Sequence, residues 1–267
     1  MVVFNDKSLA NQTVLITGAT GGIGAETANK FAEMGASLVL TGRNESKLSD
    51  LERELVDKQD SSGKVSSVIG DITVEKDRQK IVREAENVGP ITSLVNSAGL
   101  GEGRHPFETL SAEQIESLME VNYTATVLLT QKVYEFMKKR NEGTIVNISS
   151  LSGLRGTYQH IPYSASKFAL TGFTHSLAVE AIEHGIRVNC VSPGWVDTEM
   201  GREGMRTKAK ATGNTYEEQC SIEKEKIPSG RLTDPIEVAN TIGFLVSDAA
   251  ENIVGETVKI SGGSVLR

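Results

Sequence analysis

The sequence predicts an α/β fold: one doubly wound domain in which a seven-stranded parallel sheet carries helices on both faces. Three observations predict it. Short β-branched runs alternate with longer amphipathic stretches along the chain. The 267 residues suffice for one large domain, 1–267, with a buried core. No internal repeat, low-complexity tract or linker divides them. Strands are expected at residues 13–17, 37–41, 65–69, 93–96, 143–148, 187–192 and 257–260. Apolar residues recur at helical spacing over 23–34, 115–139, 163–184 and 235–247. Residues 199–227 fit neither class; they are charged, contain Gly201, Gly204 and Gly213, and interrupt the alternation after the sixth strand. At a strand's carboxyl end such a segment reads as a mobile lid, or more plainly as a surface excursion.

Composition limits the partners. With 38% hydrophobic and 24% charged residues the chain is that of a soluble globular protein, and its 26 glycines point to tight turns and close backbone approach. Lys and Arg total 28 against 35 Asp and Glu, a net charge of −7, which repels a nucleic-acid backbone, so any phosphate ligand must be held locally. Residues 1–11 lack the basic start and long apolar stretch of a signal peptide, and no apolar run reaches membrane-span length. A cytoplasmic protein without membrane partners is expected. Cys190 and Cys220 have no paired spacing, and His105, His160, His175 and His184 form no ligand-like cluster, so neither disulfide nor metal is expected.

The first strand runs straight into Thr17-Gly18-Ala19-Thr20-Gly21-Gly22-Ile23-Gly24 and then a helix. Glycines at 18, 22 and 24 let the backbone of this turn, with Thr20 and Ile23, approach a ligand. The helix N-terminus adds unpaired N–H groups and positive dipole, which is what a dinucleotide pyrophosphate requires in a Rossmann-type sheet. Gly18, Gly21 and Gly24 fit a second glycine pattern, so spacing alone does not arbitrate. After the second strand, Thr41-Gly42-Arg43 places a guanidinium where an acidic residue would bind a ribose 2′-hydroxyl. NADP(H) is therefore favoured over NAD(H), the alternative being a solvent-facing arginine. Asp71, beside Ile72, is placed to accept from an adenine amino group, or else serves a turn or helix N-cap.

Two Tyr-x-x-x-Lys segments occur, Tyr134 with Lys138 and Tyr163 with Lys167, and each puts both side chains on one helix face. Context separates them. Tyr163 follows the strand ending Asn147-Ile148-Ser149-Ser150, whose hydroxyls arrive at the sheet edge where such folds bind ligands. Tyr134 precedes that strand and has Val121 at the offset relating Ser150 to Tyr163, which makes it a packing or surface residue.

With Thr17 through Gly24, Asp71, Asn96-Ser97-Ala98-Gly99, Asn122, Ser150, Tyr163, Lys167, Pro193-Gly194 and Gly262-Gly263, the chain resembles the short-chain dehydrogenase/reductase family in its simple form, over nearly its whole length. Ser97 departs from the pattern, standing where the family commonly has a second asparagine. The resemblance implies hydride transfer between NADP(H) and an alcohol or ketone carbon. Tyr163 would be the acid/base, its phenol lowered by the Lys167 ammonium and by the oxidised nicotinamide; Ser150 would bind the substrate oxygen. Asn122, mid-helix, either disturbs that helix and holds a water relaying protons to Lys167, or is a satisfied polar residue under the sheet edge. Asn96, Ala98 and Gly99 would face the cofactor, and Pro193, Gly194, Val196 and Thr198 would clamp the nicotinamide. Trp195 either lines the pocket or packs. Segments 100–107, 151–161 and the lid would enclose a small-molecule carbonyl or alcohol, with a homotetramer as the family's common assembly. Two alternatives stay open: a 3-oxoacyl-acyl-carrier-protein reductase, and a non-catalytic NADP(H)-sensing protein.

Overall fold

The computed structural model describes residues 8–58, 63–101 and 103–266. Most of the leading stretch read above, residues 1–7, and Glu102 of the expected pocket lie outside them. In chain order the elements are β1 (Thr13–Thr17), α1 (Gly22–Glu33), β2 (Ser37–Gly42), α2 (Glu45–Lys58), β3 (Val65–Ile69), α3 (Glu75–Val88), β4 (Ile91–Asn96), α4 (Ala112–Met119), α5 (Ala125–Arg140), β5 (Gly143–Ile148), α6 (Ile161–Ala181), β6 (Ile186–Pro193), α7 (Glu199–Thr212), α8 (Tyr216–Glu225), α9 (Pro235–Val246) and β7 (Thr257–Ile260).

The strands form a single sheet in the order β3-β2-β1-β4-β5-β6-β7, with every pairing parallel. β1, β5 and β6 are buried at every position. In β1 this gives an apolar run, Val14-Leu15-Ile16, without alternation, because helices cover both faces. Phe31, Leu48, Leu55 and Ile242 bring α1, α2 and α9 onto one face, and Ile81, Leu129, Met137 and Ala178 bring α3, α5 and α6 onto the other. This is the expected Rossmann-type architecture. The strand order reverses between β1 and β4, which opens a crevice at their carboxyl ends.

Two expectations need correction. Residues 115–139 do not form one helix: α4 and α5 are separated by a π turn over Glu120–Thr124. The cause is tertiary, because Asn122 at its centre is bonded across to Leu100 and Ser166. Residues 199–227 are not irregular but form the α7 and α8 hairpin. Thr198 caps α7 through Gly201 N, and Thr215 with Glu218 makes a capping box on α8. Gly201 and Gly204 are contact glycines within α7. A Cβ on Gly201 would sit 2.1 Å from the Val196 carbonyl, and one on Gly204 would meet the Trp195 ring at 3.3 Å. Gln219 and Glu223 are buried between the helices, with Lys208 and Lys226 paired to Glu223 at 2.7 and 2.8 Å.

Arg187 on β6 is buried and donates to the carbonyls of Leu245, Val246, Ser247 and Ala250 and to the Thr144 hydroxyl. It thus satisfies the last carbonyls of α9, where a cation also meets the negative end of the helix dipole. Arg187→Met should leave those acceptors unpaired. We expect a loss of roughly 2–4 kcal/mol, measured by urea unfolding; an unchanged midpoint would show that the carbonyls find other partners.

Candidate active site

The crevice begins at the glycine turn. Gly18 has φ +60°, and a Cβ there would lie 2.6 Å from Ala98 Cα, so only glycine lets β1 and β4 end side by side. The Thr17 hydroxyl accepts from Ser97 N and Ala98 N, both at 3.1 Å, which laces the ends together despite Ser97. No side chain caps the N-terminus of α1, and no acidic residue lies in its first turn. The N–H groups at Gly22, Ile23 and Gly24 therefore suit a phosphate, by donor set and by dipole. Across the crevice the Thr198 methyl fills the place a Gly22 Cβ would take, at 2.5 Å. The Thr198 hydroxyl accepts from Gly201 N and keeps its proton for a further acceptor.

On the β2 and β3 side, Thr20 lies against Gly42, its Oγ1 3.4 Å from where a Cβ would be. Arg43 is exposed, its guanidinium 3.8 Å from the Asp71 carboxylate. Asp71 accepts from the N–H and hydroxyl of Thr73 at 2.9 and 2.8 Å. This is the turn role, and α3 takes Val74 as its N-cap instead. Burial raises the Asp71 carboxyl, but the Thr73 hydrogen bonds and the Arg43 charge outweigh it and leave the group below its ordinary value. The Ile72 side chain is buried in the core. Asn96 turns its amide away from the crevice, donating to Thr130 Oγ1 at 2.9 Å and Asn147 Oδ1 at 2.8 Å, so only its backbone faces the turn.

Ser150, Tyr163 and Lys167 meet at the carboxyl edge of β5. Ser150, two residues past the end of β5, stands with its hydroxyl beside that of Tyr163, whose phenol it lowers; its Oγ accepts from Ser152 N at 3.1 Å. Lys167, one turn along α6, holds Nζ 5.8 Å from the Tyr163 ring centroid and donates to the Ile148 carbonyl at 2.9 Å. A Cβ on Gly99 would lie 3.5 Å from Lys167 Nζ and 3.3 Å from Asn122 Oδ1, which ties the glycine turn, through Ala98 and Gly99, to α6. Asn122 is buried and fully used: its amide donates to Leu100 O and Ser166 Oγ, both at 3.0 Å, and accepts from Leu100 N at 2.7 Å. It both disturbs the helix and is satisfied. Burial pushes the Tyr163 phenol above its ordinary value against the lowering by Ser150, and pushes Lys167 down to about 8. Burial thus acts against the lowering expected from Lys167 and the oxidised nicotinamide.

Gly194 donates to Ile260 O at 2.9 Å, holding the Pro193-Gly194 corner on β7, and the Val196 side chain is buried in the core. Trp195 packs beneath α7 against Gly204. α7 in turn lies over Gly101 and Gly103: a Cβ on Gly101 would meet Met200 at 3.1 Å and one on Gly103 would meet Thr207 at 3.6 Å. Tyr134 packs on the core with a buried, unpartnered hydroxyl. His160, which sequence reasoning passed over, stacks on Tyr163 with centroids 4.6 Å apart. Its only signal was a ring three residues before the tyrosine. Among the described residues no group of three or more His, Cys, Asp or Glu gathers as a metal site, and no helix is long and apolar enough to cross a membrane.

Comparison with known proteins agrees with this fold. Residues 12–209 match the family model for short chain dehydrogenases. A 3-oxoacyl-[acyl-carrier-protein] reductase of Aquifex aeolicus is 36% identical over 256 residues, 96% of this chain and 98% of that protein. Among solved structures, an actinorhodin polyketide ketoreductase with NADPH superposes with a TM-score of 0.90 at 31% identity, covering 96% of this chain and 98% of that one. Levodione reductase also reaches 0.90, at 28% identity, covering 97% and 98%. The glycine turn, the Ser150, Tyr163 and Lys167 constellation and these matches together make the chain a member of the short chain dehydrogenase family, oxidoreductases of hydroxyl and carbonyl carbons.

Proposed function

We propose that the chain is an NADP(H)-dependent carbonyl reductase or alcohol dehydrogenase in which Tyr163 exchanges the proton. The observation that carries this is the meeting of Ser150, Tyr163 and Lys167 at the sheet's carboxyl edge, linked through Gly99 and Ala98 to the glycine turn that precedes the uncapped start of α1. The coenzyme, when bound, supplies or takes the hydride. The pyrophosphate belongs on the Gly18 to Gly24 turn, the 2′-phosphate on Arg43, and the carboxamide at Val196 and Thr198.

In reduction the Ser150 hydroxyl and the Tyr163 O–H orient the substrate oxygen. As the carbon gains hydride, Tyr163 gives its proton to that oxygen, leaving phenolate. A phenol pushed up by burial holds its proton until that moment. The Lys167 ammonium then stabilises the phenolate, and Asn122 keeps Leu100 and the widened turn in place for proton return to Lys167. Oxidation runs the same steps backwards. The α7 and α8 hairpin acts as the lid, and the exposed Phe168, Val179 and Ile182 on α6 and the turn after it fit the subunit contact of a cytoplasmic homotetramer.

NADPH consumption over a panel of small ketones tests the reading. Coenzyme binding without turnover on any carbonyl would favour a sensor. Arg43→Ala should weaken NADPH binding by roughly 1.5–3 kcal/mol and leave NADH nearly unchanged, as measured by titration calorimetry; equal losses for both would remove Arg43 from the phosphate site.

The similarity to a 3-oxoacyl-[acyl-carrier-protein] reductase favours a second reading, a carrier-bound substrate. That reading needs a basic docking face. The end of α6 and the turn after it carry Val179, Glu180, Glu183 and His184 instead, and we rank this substrate below a free ketone.

A further inference from the structure

Tyr163 lies in the first turn of α6, with the Ser150 hydroxyl beside its own and Lys167 Nζ 5.8 Å from its ring centroid. The His160 imidazole lies against the ring, centroids 4.6 Å apart and planes 26° from parallel, and so bounds the position of the phenol on that side.

The backbone that delivers His160 is itself unusual. Gln159 has φ +56°, and among the described residues Asn141 is the only other non-glycine residue with positive φ. Asparagine tolerates that region; glutamine has no such advantage, so the conformation is held at a cost by its surroundings. Those surroundings are explicit. The Gln159 carbonyl accepts from His105 N at 2.9 Å, His160 N donates to Thr157 O at 3.1 Å, and the His160 carbonyl accepts from Ser164 N at 2.9 Å. The left-handed residue reverses the chain immediately before α6 and aims the next side chain back over the helix's first turn. Arg104 reinforces the reversal from outside by donating to Tyr158 O at 2.7 Å.

We infer that His160 is a positioning residue for Tyr163, its ring face setting the orientation of the phenol, with Gln159 held left-handed to place it. The inference rests on the function proposed above. Steady-state reduction of a small ketone by His160→Ala and His160→Phe tests it. His160→Ala should lower kcat roughly tenfold or more, since small misplacements of a reacting group are costly, with KM for NADPH and the melting temperature unchanged. His160→Phe, which keeps a flat ring, should recover most of the loss. An Ala variant with undiminished kcat overturns the inference, as does a Phe variant no better than Ala, because the imidazole would then matter for something other than its face.

A second readout needs no turnover. The Tyr163 ring resonances, assigned by their loss in Tyr163→Phe, should shift when the stacked ring is removed in His160→Ala and stay near their place in His160→Phe. Unmoved resonances in the Ala variant overturn the positioning. A wild-type chain silent on every carbonyl tested instead overturns the function, and the resonances then decide His160 alone.

Discussion

Tyr163→Phe is expected to lower ketone turnover by roughly 10²- to 10⁴-fold, the usual contribution of a positioned general acid, with NADPH affinity kept. The substitution removes one oxygen and leaves the ring against His160. Ser150 loses its phenol partner but still accepts from Ser152 N, so it is not stranded. Stability should therefore change by only about 1 kcal/mol. Single-turnover measurement of hydride transfer, with coenzyme affinity measured in parallel, checks both halves; a variant keeping a large share of turnover would remove Tyr163 from the chemistry.

Lys167→Met should lose turnover by roughly 10²-fold or more, because the phenolate left after proton donation then has no cation beside it. Its stability should move the other way. Burial lowers Lys167 from 10.5 to about 8, so the folded chain releases this proton first. Below pH 8 the group is charged in both states, and the fold carries the full penalty, on the order of 3 kcal/mol less the bond to Ile148. Between about 8 and 10.5 the unfolded chain holds more protons, and the penalty fades as pH rises. The variant should thus exceed the wild type in stability most at neutral pH and lose that lead by pH 10, read from urea unfolding at both values. A lead that does not depend on pH would mean the ammonium is not desolvated.

The sheet was legible because short β-branched runs alternate with amphipathic stretches along the chain, and β1, β5 and β6 are buried throughout. The Ser150, Tyr163 and Lys167 set was legible because two of its members are one helical turn apart and the third follows directly on a strand. The break at Asn122 was not, since it depends on hydrogen bonds to Leu100 and Ser166 that no local pattern announces. The α7 and α8 hairpin was misread through its glycines, which serve contacts with Val196 and Trp195. Thr198, and Thr215 with Glu218, were the caps that mark those helices in the sequence. The inward donation of the Asn96 side chain to Thr130 and Asn147 was not legible either, and His160 was overlooked because its aim depends on the conformation of Gln159.

Asn96 donates to Asn147, and Asn147 donates to Thr174 at 2.9 Å, so a buried chain of amides and a hydroxyl joins β4, β5 and α6. Oily packing alone tolerates small slips between neighbouring strands and helices; directional links do not. The half of the sheet that would carry the coenzyme and the helix that carries the phenol are therefore pinned to a common origin. An apolar replacement at Asn147 would free the two halves to drift apart, and the distance over which the hydride must travel would drift with them.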